Sequence, residues 1–276
     1  MRALADQVAT AYDRAAVHAQ RAGLPYQLLG WRHFGRFYGT TPVRELLASH
    51  EEKDPGELQN YWLRARRAVA LAMLGRFVGA RSIVSELLAE WSERGGGLAR
   101  PSILGDAFPQ LELLAGDAAA AARYGEEACR LLADLGQHGY LANAAGRLAH
   151  ARYALGELDE AAAWAPRAKD LAASDDAIAQ MLWRQALAKV LACRGEQAEA
   201  EHLAREAVAI GSDTEMLDTQ ADTYADLGEV LSLAGQPKQA AEAFKEALAR
   251  YERKENLVMA ERTRARLEDL QTTAAR

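Results

Sequence analysis

Apolar residues along the chain recur with the period of amphipathic helices, and glycines separate successive periodic segments. When the segments are aligned on these glycines, the spacing is 39 to 41 residues. An alanine follows each of these glycines at the fifth position. The repeated positions are the glycines Gly75, Gly116, Gly156, Gly195 and Gly235 and the alanines Ala80, Ala121, Ala161, Ala200 and Ala240.

This spacing predicts a helical hairpin in each repeat, with the glycine at its turn. Glycine tolerates the positive φ that ends one helix and lets the chain reverse. The alanine lies on the face of the second helix that meets the first, where a small side chain permits close approach. Because a single hairpin cannot bury its own apolar face, the pattern predicts stacked hairpins that close each other's core.

The composition favours the same all-α fold. Hydrophobic residues make up 50% of the chain and are dominated by alanine, whereas aromatic residues make up 7% and prolines number 7. No window alternates β-branched or aromatic residues with polar residues over the length of a strand. We therefore expect no β-sheet.

The last complete repeat, ADTYADLGEVLSLAGQPKQAAEAFKEALARY, resembles the tetratricopeptide repeat. Other repeats diverge from the pattern: the one at Gly195 has Ala204 where an aromatic residue is usual. The resemblance implies an all-α, right-handed α-solenoid of antiparallel helix pairs, about seven in number, with a C-terminal capping helix. The matching residues are Tyr224, Leu227, Gly228, Gly235, Ala240, Phe244, Ala247 and Leu248.

The repeats predict a single solenoid over residues 1–276. Its first helix has no preceding partner in the sequence, so we expect the N-terminus to be cut from something longer. The predicted segments are divergent repeats at 1–56, five repeats of about 40 residues at 57–253 and a capping helix at 254–276.

Two helices are expected to be irregular. Gly105 and Pro109 fall inside the expected first helix of a pair, and Pro166 falls inside the second helix of another. Proline removes a backbone hydrogen bond and clashes with the preceding turn. We therefore predict kinks at both places.

The charge pattern argues against nucleic acid and membrane partners. The formal net charge is −6 and acidic and basic residues are interspersed, so there is no basic stripe for a phosphate backbone. No segment reaches the length of a membrane span, and the first residues lack a signal-peptide pattern. We expect a cytoplasmic protein, in which Cys129 and Cys193 act as small buried hydrophobic residues.

No sequence pattern indicates catalysis, and we expect a non-enzyme without cofactor or metal. Motifs for phosphate binding, dinucleotide binding, zinc proteases and nucleophile elbows are absent from the sequence. Asp175 and Asp176 suit a helix N-cap better than an acid pair. An enzyme with an unrecognised site is the alternative. Surface or packing roles, rather than metal ligation, are expected for His18, His33, His50, His138, His150 and His202.

The inner wall of the superhelix is the expected binding surface. In tetratricopeptide-like repeats, first-helix residues 13, 10, 6 and 3 positions before the turn glycine face inward. Such a polar groove suits a peptide or an extended segment of a partner domain, although a solvated wall without a ligand is the alternative. We expect Lys189→Ala to leave the melting temperature nearly unchanged. The inward residues are Asp106, Gln110, Asn143, His150, Tyr153, Gln185, Lys189, Asp222 and Glu229.

Segments such as LLAGDAAAAARYGEEACRLLADLGQ and LAHARYALGELDEAAAWAPRAKDLAA also resemble the C-terminal repeats of large actinobacterial signalling proteins. In those proteins a nucleotide cyclase or DNA-binding domain and an AAA-like ATPase precede a tetratricopeptide tail. The resemblance implies a non-catalytic scaffold, the regulatory or sensory tail of a signalling or transcription regulator. Its partner would be a protein or peptide, or a missing N-terminal ATPase or cyclase domain. The alternative is a small-molecule or peptide sensor with its ligand near His150 and Lys189.

Overall fold

In the computed structural model, residues 35–51 and 60–274 are described, and every regular element within these ranges is a helix. The predictions for His18, His33 and the first helix lie outside the described residues. The helices are α1 Val43–Glu51, α2 Tyr61–Met73, α3 Phe77–Arg94, α4 Ala99–Gly105, α5 Ala107–Ala115, α6 Ala118–Asp134, α7 His138–Ala154, α8 Leu158–Leu171, α9 Ala177–Cys193, α10 Gln197–Ser212, α11 Leu217–Leu233, α12 Pro237–Lys254 and α13 Leu257–Ala274.

Helices α2 to α12 form successive antiparallel pairs, with α4 and α5 together acting as the first helix of one pair. Each first helix packs against its partner and against the first helix of the next pair. The second helices lie outside and contact the first helix that follows them. The predicted fold class, an all-α solenoid of antiparallel helix pairs, is confirmed.

A left-handed glycine ends the first helix of each of these pairs. The five repeated glycines have φ between 69° and 83°, a backbone region in which an L side chain is strained. At Gly156, the N–H of Glu157 donates to the carbonyl oxygen of Arg152 at 3.0 Å. The turn therefore satisfies a carbonyl group that the end of the helix would otherwise leave without a donor.

Small residues allow the paired helices to approach each other closely. All five repeated alanines are fully buried, at 0% exposure. At Gly228, an added Cβ would lie 2.8 Å from the ring of Phe244. The helices α11 and α12 are therefore packed too closely at this point for any larger residue.

The irregularity predicted near Gly105 is present as a break in the helix. Helix α4 ends at Gly105, and Asp106 has φ −126° and ψ −71° before α5 begins. Pro109 lies in the first turn of α5, where a backbone N–H has no helical acceptor to lose. At Pro166, by contrast, α8 continues without interruption.

The C-terminal end of the solenoid contacts its N-terminal segment. Lys254 is fully buried and its Nζ donates to the carbonyl oxygens of Phe37 and Gly39. Glu255 accepts hydrogen bonds from the backbone N–H of Arg44 at 2.9 Å and from its guanidinium at 3.1 Å. Helix α13 begins at Leu257 rather than at 254, because α12 continues through Lys254. It then packs on α12 and reaches α2.

The buried alanines provide a test of this packing. Ala161→Leu and Ala240→Leu should each lower the free energy of unfolding by about 1 to 3 kcal/mol, because the added side chain forces two helices apart. Ala163 lies on the same helix as Ala161 but is exposed, so Ala163→Leu should change stability by less than about 0.5 kcal/mol. Chemical denaturation measures all three, and an equal loss in the Ala163 variant would contradict the packing.

Candidate binding site

A cavity of about 730 Å³ lies inside the curve of the solenoid. Its walls are formed by the inner helices α5, α7, α9 and α11, together with the end of α12 and the capping helix α13. Most of the residues predicted to face inward line it. They are Gln110, His150, Tyr153, Gln185, Lys189, Asp222 and Glu229.

Asp106, by contrast, lies in an ion cluster beside the cavity. Its carboxylate binds the guanidinium groups of Arg66 and Arg147, the latter at 2.6 Å, and accepts a hydrogen bond from Tyr38 at 3.3 Å. Burial alone would raise the pKa of Asp106, but attraction to the two arginines outweighs burial and holds this pKa well below its usual 3.8. Asp106 therefore joins α5 to α2 and α7 and is not available to a ligand.

Asn143 also lies away from the cavity, near the start of α7. Its Nδ2 donates to Oδ2 of Asp176 at 3.2 Å. The other carboxylate oxygen of Asp176 accepts from the N–H of Ala179 at 3.0 Å and caps α9, in the role that the sequence favours for this residue. Asn143 therefore links the starts of two inner helices.

Lys189 lies at the centre of a polar cluster on the cavity wall. Its Nζ is 2.8 Å from Oδ1 of Asp226 and 3.2 Å from Nδ1 of His150. Burial lowers the pKa of His150 well below its usual value, and repulsion from Lys189 and Arg147 lowers it further. His150 is therefore neutral at pH 7, with its Nε2–H donating to the carbonyl oxygen of Leu182 at 3.1 Å.

Tyr153 connects this cluster to α11. Its hydroxyl donates to Oε1 of Glu229 at 2.7 Å, and its ring centroid lies 4.9 Å from Nζ of Lys189. Burial raises the pKa of the hydroxyl, and the neighbouring Glu229 raises it further. Tyr153 therefore stays protonated and acts as a donor.

Two further carboxyl groups of α11 face the cavity with neutral hydrogen-bond partners. Nδ2 of Asn256 donates to Asp218 at 2.9 Å, and the hydroxyl of Tyr251 donates to Asp222 at 2.6 Å. Burial raises the pKa of both carboxyl groups, and the charge of Asp218 raises that of Asp222 further. Burial and Asp222 likewise hold the pKa of Tyr251 well above its usual range. Lys254 and Arg147 attract Asp218, and Arg147 attracts Asp222, but this attraction does not outweigh burial, so ionising either carboxyl group is unfavourable.

The capping helix α13 closes one side of the cavity. The guanidinium of Arg262 donates to the carbonyl oxygens of Leu113 at 3.1 Å and Leu114 at 2.8 Å. These carbonyls belong to the last turn of α5, where the regular helical donors run out. The carbonyl of Leu113 also accepts from the N–H of Gly116 at 3.2 Å. Met259 and Arg266 of the same helix line the cavity. The C-terminal helix is therefore part of the site as well as the end of the solenoid.

Several residues that line the cavity are not at the positions that the repeat predicts to face inward. Asp226 lies nine positions before its turn glycine rather than ten, and Asp218 lies in the first turn of α11. The four-residue spacing of Asp218, Asp222 and Asp226 is a sequence signal that identifies them as one face of a helix. Arg147 of α7 lies nine positions before Gly156, the same offset as Asp226. No local signal marks the polar cavity residues and Met259 at the C-terminal end, because they reach the cavity through the long-range curvature of the chain. They are Tyr251, Asn256, Met259, Arg262 and Arg266.

The two cysteines differ from each other. Cys129 is buried, and burial raises its pKa to about 12. Cys193 is exposed and lines the cavity, which corrects the expectation that both are buried. Among the residues that the structure describes, no group of three or more His, Cys, Asp or Glu side chains could hold a metal ion.

The fold and the inner-wall cavity define the class of protein, an α-solenoid of tetratricopeptide-like helix pairs. The family model "Tetratricopeptide repeat" matches residues 181–211 and 220–257, which cover the last two helix pairs. Folds of this class typically provide non-catalytic surfaces for protein–protein interaction. Comparison with curated proteins gives no match. Within the described ranges, no helix has the length and apolar character needed to cross a membrane.

Three solved structures are similar to this chain at low sequence identity. BtubC (BKLC) from P. vanneervenii is 18% identical, with 90% of this chain and 91% of that chain covered and a TM-score of 0.50. A protein from Podosopora anserina described as a kinesin light chain with nearly identical TPR-like repeats is 18% identical, with 68% and 92% covered and a TM-score of 0.46. The apo form of RapI is 14% identical, with 99% and 72% covered and a TM-score of 0.47.

The ion cluster at Asp106 gives a pH-dependent prediction. Asp106→Asn should lower the free energy of unfolding by about 3 to 5 kcal/mol at pH 7, because two buried arginines lose their counter-charge. Since the folded-state pKa of Asp106 is lowered, its contribution is present above the unfolded value of 3.8 and is lost as the pH falls below it. In urea denaturation, the difference in free energy of unfolding between the wild type and Asp106→Asn should therefore become smaller as the pH is lowered. Asp134→Asn changes an exposed position and is the control, which should be as stable as the wild type.

The sequence predicts that replacing Lys189 leaves the stability nearly unchanged, but the burial of this side chain predicts a loss. With 9% of its side chain exposed and Asp226 as its partner, Lys189→Met should cost about 3 kcal/mol or more, because Asp226 is left without a counter-charge. The double variant Lys189→Met/Asp226→Asn should lose less than the single variant. Lys238 is exposed, so Lys238→Met should be neutral within about 0.5 kcal/mol. A double variant less stable than the single variant in urea denaturation would contradict the pairing.

Proposed function

We propose that this protein is a non-catalytic scaffold that binds a peptide or a partner-domain segment in the cavity along its inner wall. The observation that carries the proposal is the convergence of polar side chains from α5, α7, α9 and α11 on one cavity. Hydrogen bonds and an ion pair among the side chains of α7, α9 and α11 hold that part of the wall in place before a partner arrives, which reduces the entropy cost of binding. The partner-contacting residues of the proposal are Gln110, His150, Tyr153, Gln185, Lys189, Asp222 and Glu229.

The proposed biological role is that of the regulatory or sensory tail of a bacterial signalling or transcription regulator. The resemblance of the repeats to actinobacterial regulators supports this role. The partner in that case is a segment of an ATPase or cyclase domain. Binding would shift the population of more open and more closed forms of the superhelix and so change the state of the attached effector.

The binding proposal is tested with selected peptides and two matched double variants. Peptides are selected from a displayed random library and from a tiled set spanning ATPase and cyclase domains of actinobacterial regulators. Gln110→Ala/Glu229→Gln changes the cavity wall, whereas Gln239→Ala/Glu242→Gln makes the same changes on the exposed face of α12. Fluorescence anisotropy then gives the dissociation constant for each peptide and each protein.

The cavity variant should bind at least about tenfold more weakly, because it loses hydrogen bonds in a desolvated site, and the outer-face variant should bind like the wild type. Equal weakening by both variants, or a selection that yields no binder, would overturn the scaffold proposal. Peptides from the tiled set that bind while random peptides do not would support the regulator role.

A second function, a small-molecule or peptide sensor, is favoured by one observation. The cavity volume of about 730 Å³ lies in the range of small-molecule sites, about 300 to 1,000 Å³. The capping helix α13 covers one side of the cavity and would close over a compact ligand. Thermal shift measurements against a metabolite collection test this function, and stabilisation by a compound that Gln110→Ala/Glu229→Gln abolishes would support it.

A further inference from the structure

The wall that α11 contributes to the cavity carries an excess of negative charge. Four carboxyl groups of this helix line the cavity: Asp218, Asp222, Asp226 and Glu229. In the described part of the chain, Asp226 alone of the four forms an ion pair, with Lys189 at 2.8 Å. The other three have the neutral donors Asn256, Tyr251 and Tyr153.

The cations that line the same cavity are engaged elsewhere or exposed. Arg147 lies 2.6 Å from Asp106, and the guanidinium of Arg262 donates to backbone carbonyls of α5. Lys189 is paired with Asp226. Arg266 is solvent-exposed on α13, where water screens its charge. Outside the cavity lining, the buried Lys254 also attracts Asp218, but its Nζ donates to the backbone carbonyls of Phe37 and Gly39. Arg147 attracts both carboxyl groups. Within the described residues, however, neither Asp218 nor Asp222 forms an ion pair with any of these cations.

A second observation points to a ligand that donates hydrogen bonds. Gln110 lines the same cavity from α5, and its oxygen Oε1 is buried without a hydrogen-bond partner. Buried acceptors are nearly always paired in folded proteins, because an unpaired one is costly. The cavity thus holds a buried acceptor without a protein donor, together with two carboxyl groups whose hydrogen-bond donors are neutral.

We propose that the cavity binds a positively charged organic group, an alkylammonium or a guanidinium, against Asp218 and Asp222 of α11. Such a group supplies both the missing charge and several N–H donors. Burial raises the pKa of Asp218 and Asp222 in the empty cavity, and perturbed groups of this kind in a cavity are typical of binding sites. The inference deepens the proposed function, on which it rests for a partner segment that carries Lys or Arg. A free amine would supply the same group.

The test uses NMR titration of the full chain with n-butylammonium and n-butylguanidinium, and with 1-butanol and butyrate as controls. The cations should give saturable shifts in cavity residues, and the controls should not. Asp222→Asn keeps an acceptor for Tyr251 but removes the charge, and should weaken cation binding by about tenfold or more. Asp218→Asn is a second variant with the same expectation. Asp213→Asn removes a charge from an exposed position and should bind like the wild type.

The peptides selected in the test of the scaffold proposal distinguish two claims, that the cavity binds a peptide and that it recognises a positively charged group. Enrichment of Lys or Arg, with affinity lost in Asp222→Asn, supports both claims. Peptides that bind equally well without a basic residue overturn the inference and leave the scaffold function standing. Saturable binding of the small cations with no peptide binder supports the inference and overturns the scaffold function. Equal shifts with 1-butanol, or undiminished cation binding in both Asp variants, overturn the inference.

Discussion

Close contact between small side chains is the constraint on which the rest of the structure depends. The repeated alanines are fully buried, and Gly228 leaves room for the ring of Phe244 where any Cβ would collide with it. Because the same contact recurs about every 40 residues, each helix pair is displaced from the last in a similar way. The chain therefore curves continuously, and the curvature brings Lys254 and α13 back against the segment around Phe37 and against α2.

The cavity is a consequence of this curvature. Polar side chains of the inner helices share this cavity, where burial makes a charge without a partner unfavourable. The solenoid meets this cost in two ways. At Asp106 and Lys189 it pairs opposite charges, whereas at Asp218 and Asp222 it leaves carboxyl groups with neutral donors. Of the two arrangements, only the carboxyl groups with neutral donors would be stabilised by a positively charged ligand.

The repeat explains how much of this could be predicted from the sequence. The turn glycines and the alanines after them are local signals, so the helix pairs and most of the inner wall follow from one alignment. The count from the turn glycine predicts Asp106 and Asn143 on that wall, yet the break at Asp106 and the cap at Asp176 turn their side chains to other partners. The role of α13 depends on contacts such as that between Arg262 and Leu114, 148 residues apart, which no local pattern encodes.

The pKa of Asp106 is lowered and that of Asp222 is raised, which shows why a position in the repeat does not by itself define a binding site. Both are aspartates in the inner layer of the same solenoid, Asp106 at the break between α4 and α5 and Asp222 within α11, and burial acts on both in the same direction. Two arginines hold the pKa of Asp106 low, and its negative charge then serves the structure. Asp222 has another aspartate as its neighbour and a tyrosine as its donor, so burial and the charge of Asp218 outweigh the attraction of Arg147 and raise its pKa. The groups least useful to the fold are therefore those best suited to recognise a partner, which is the trade between stability and function expected of a binding surface.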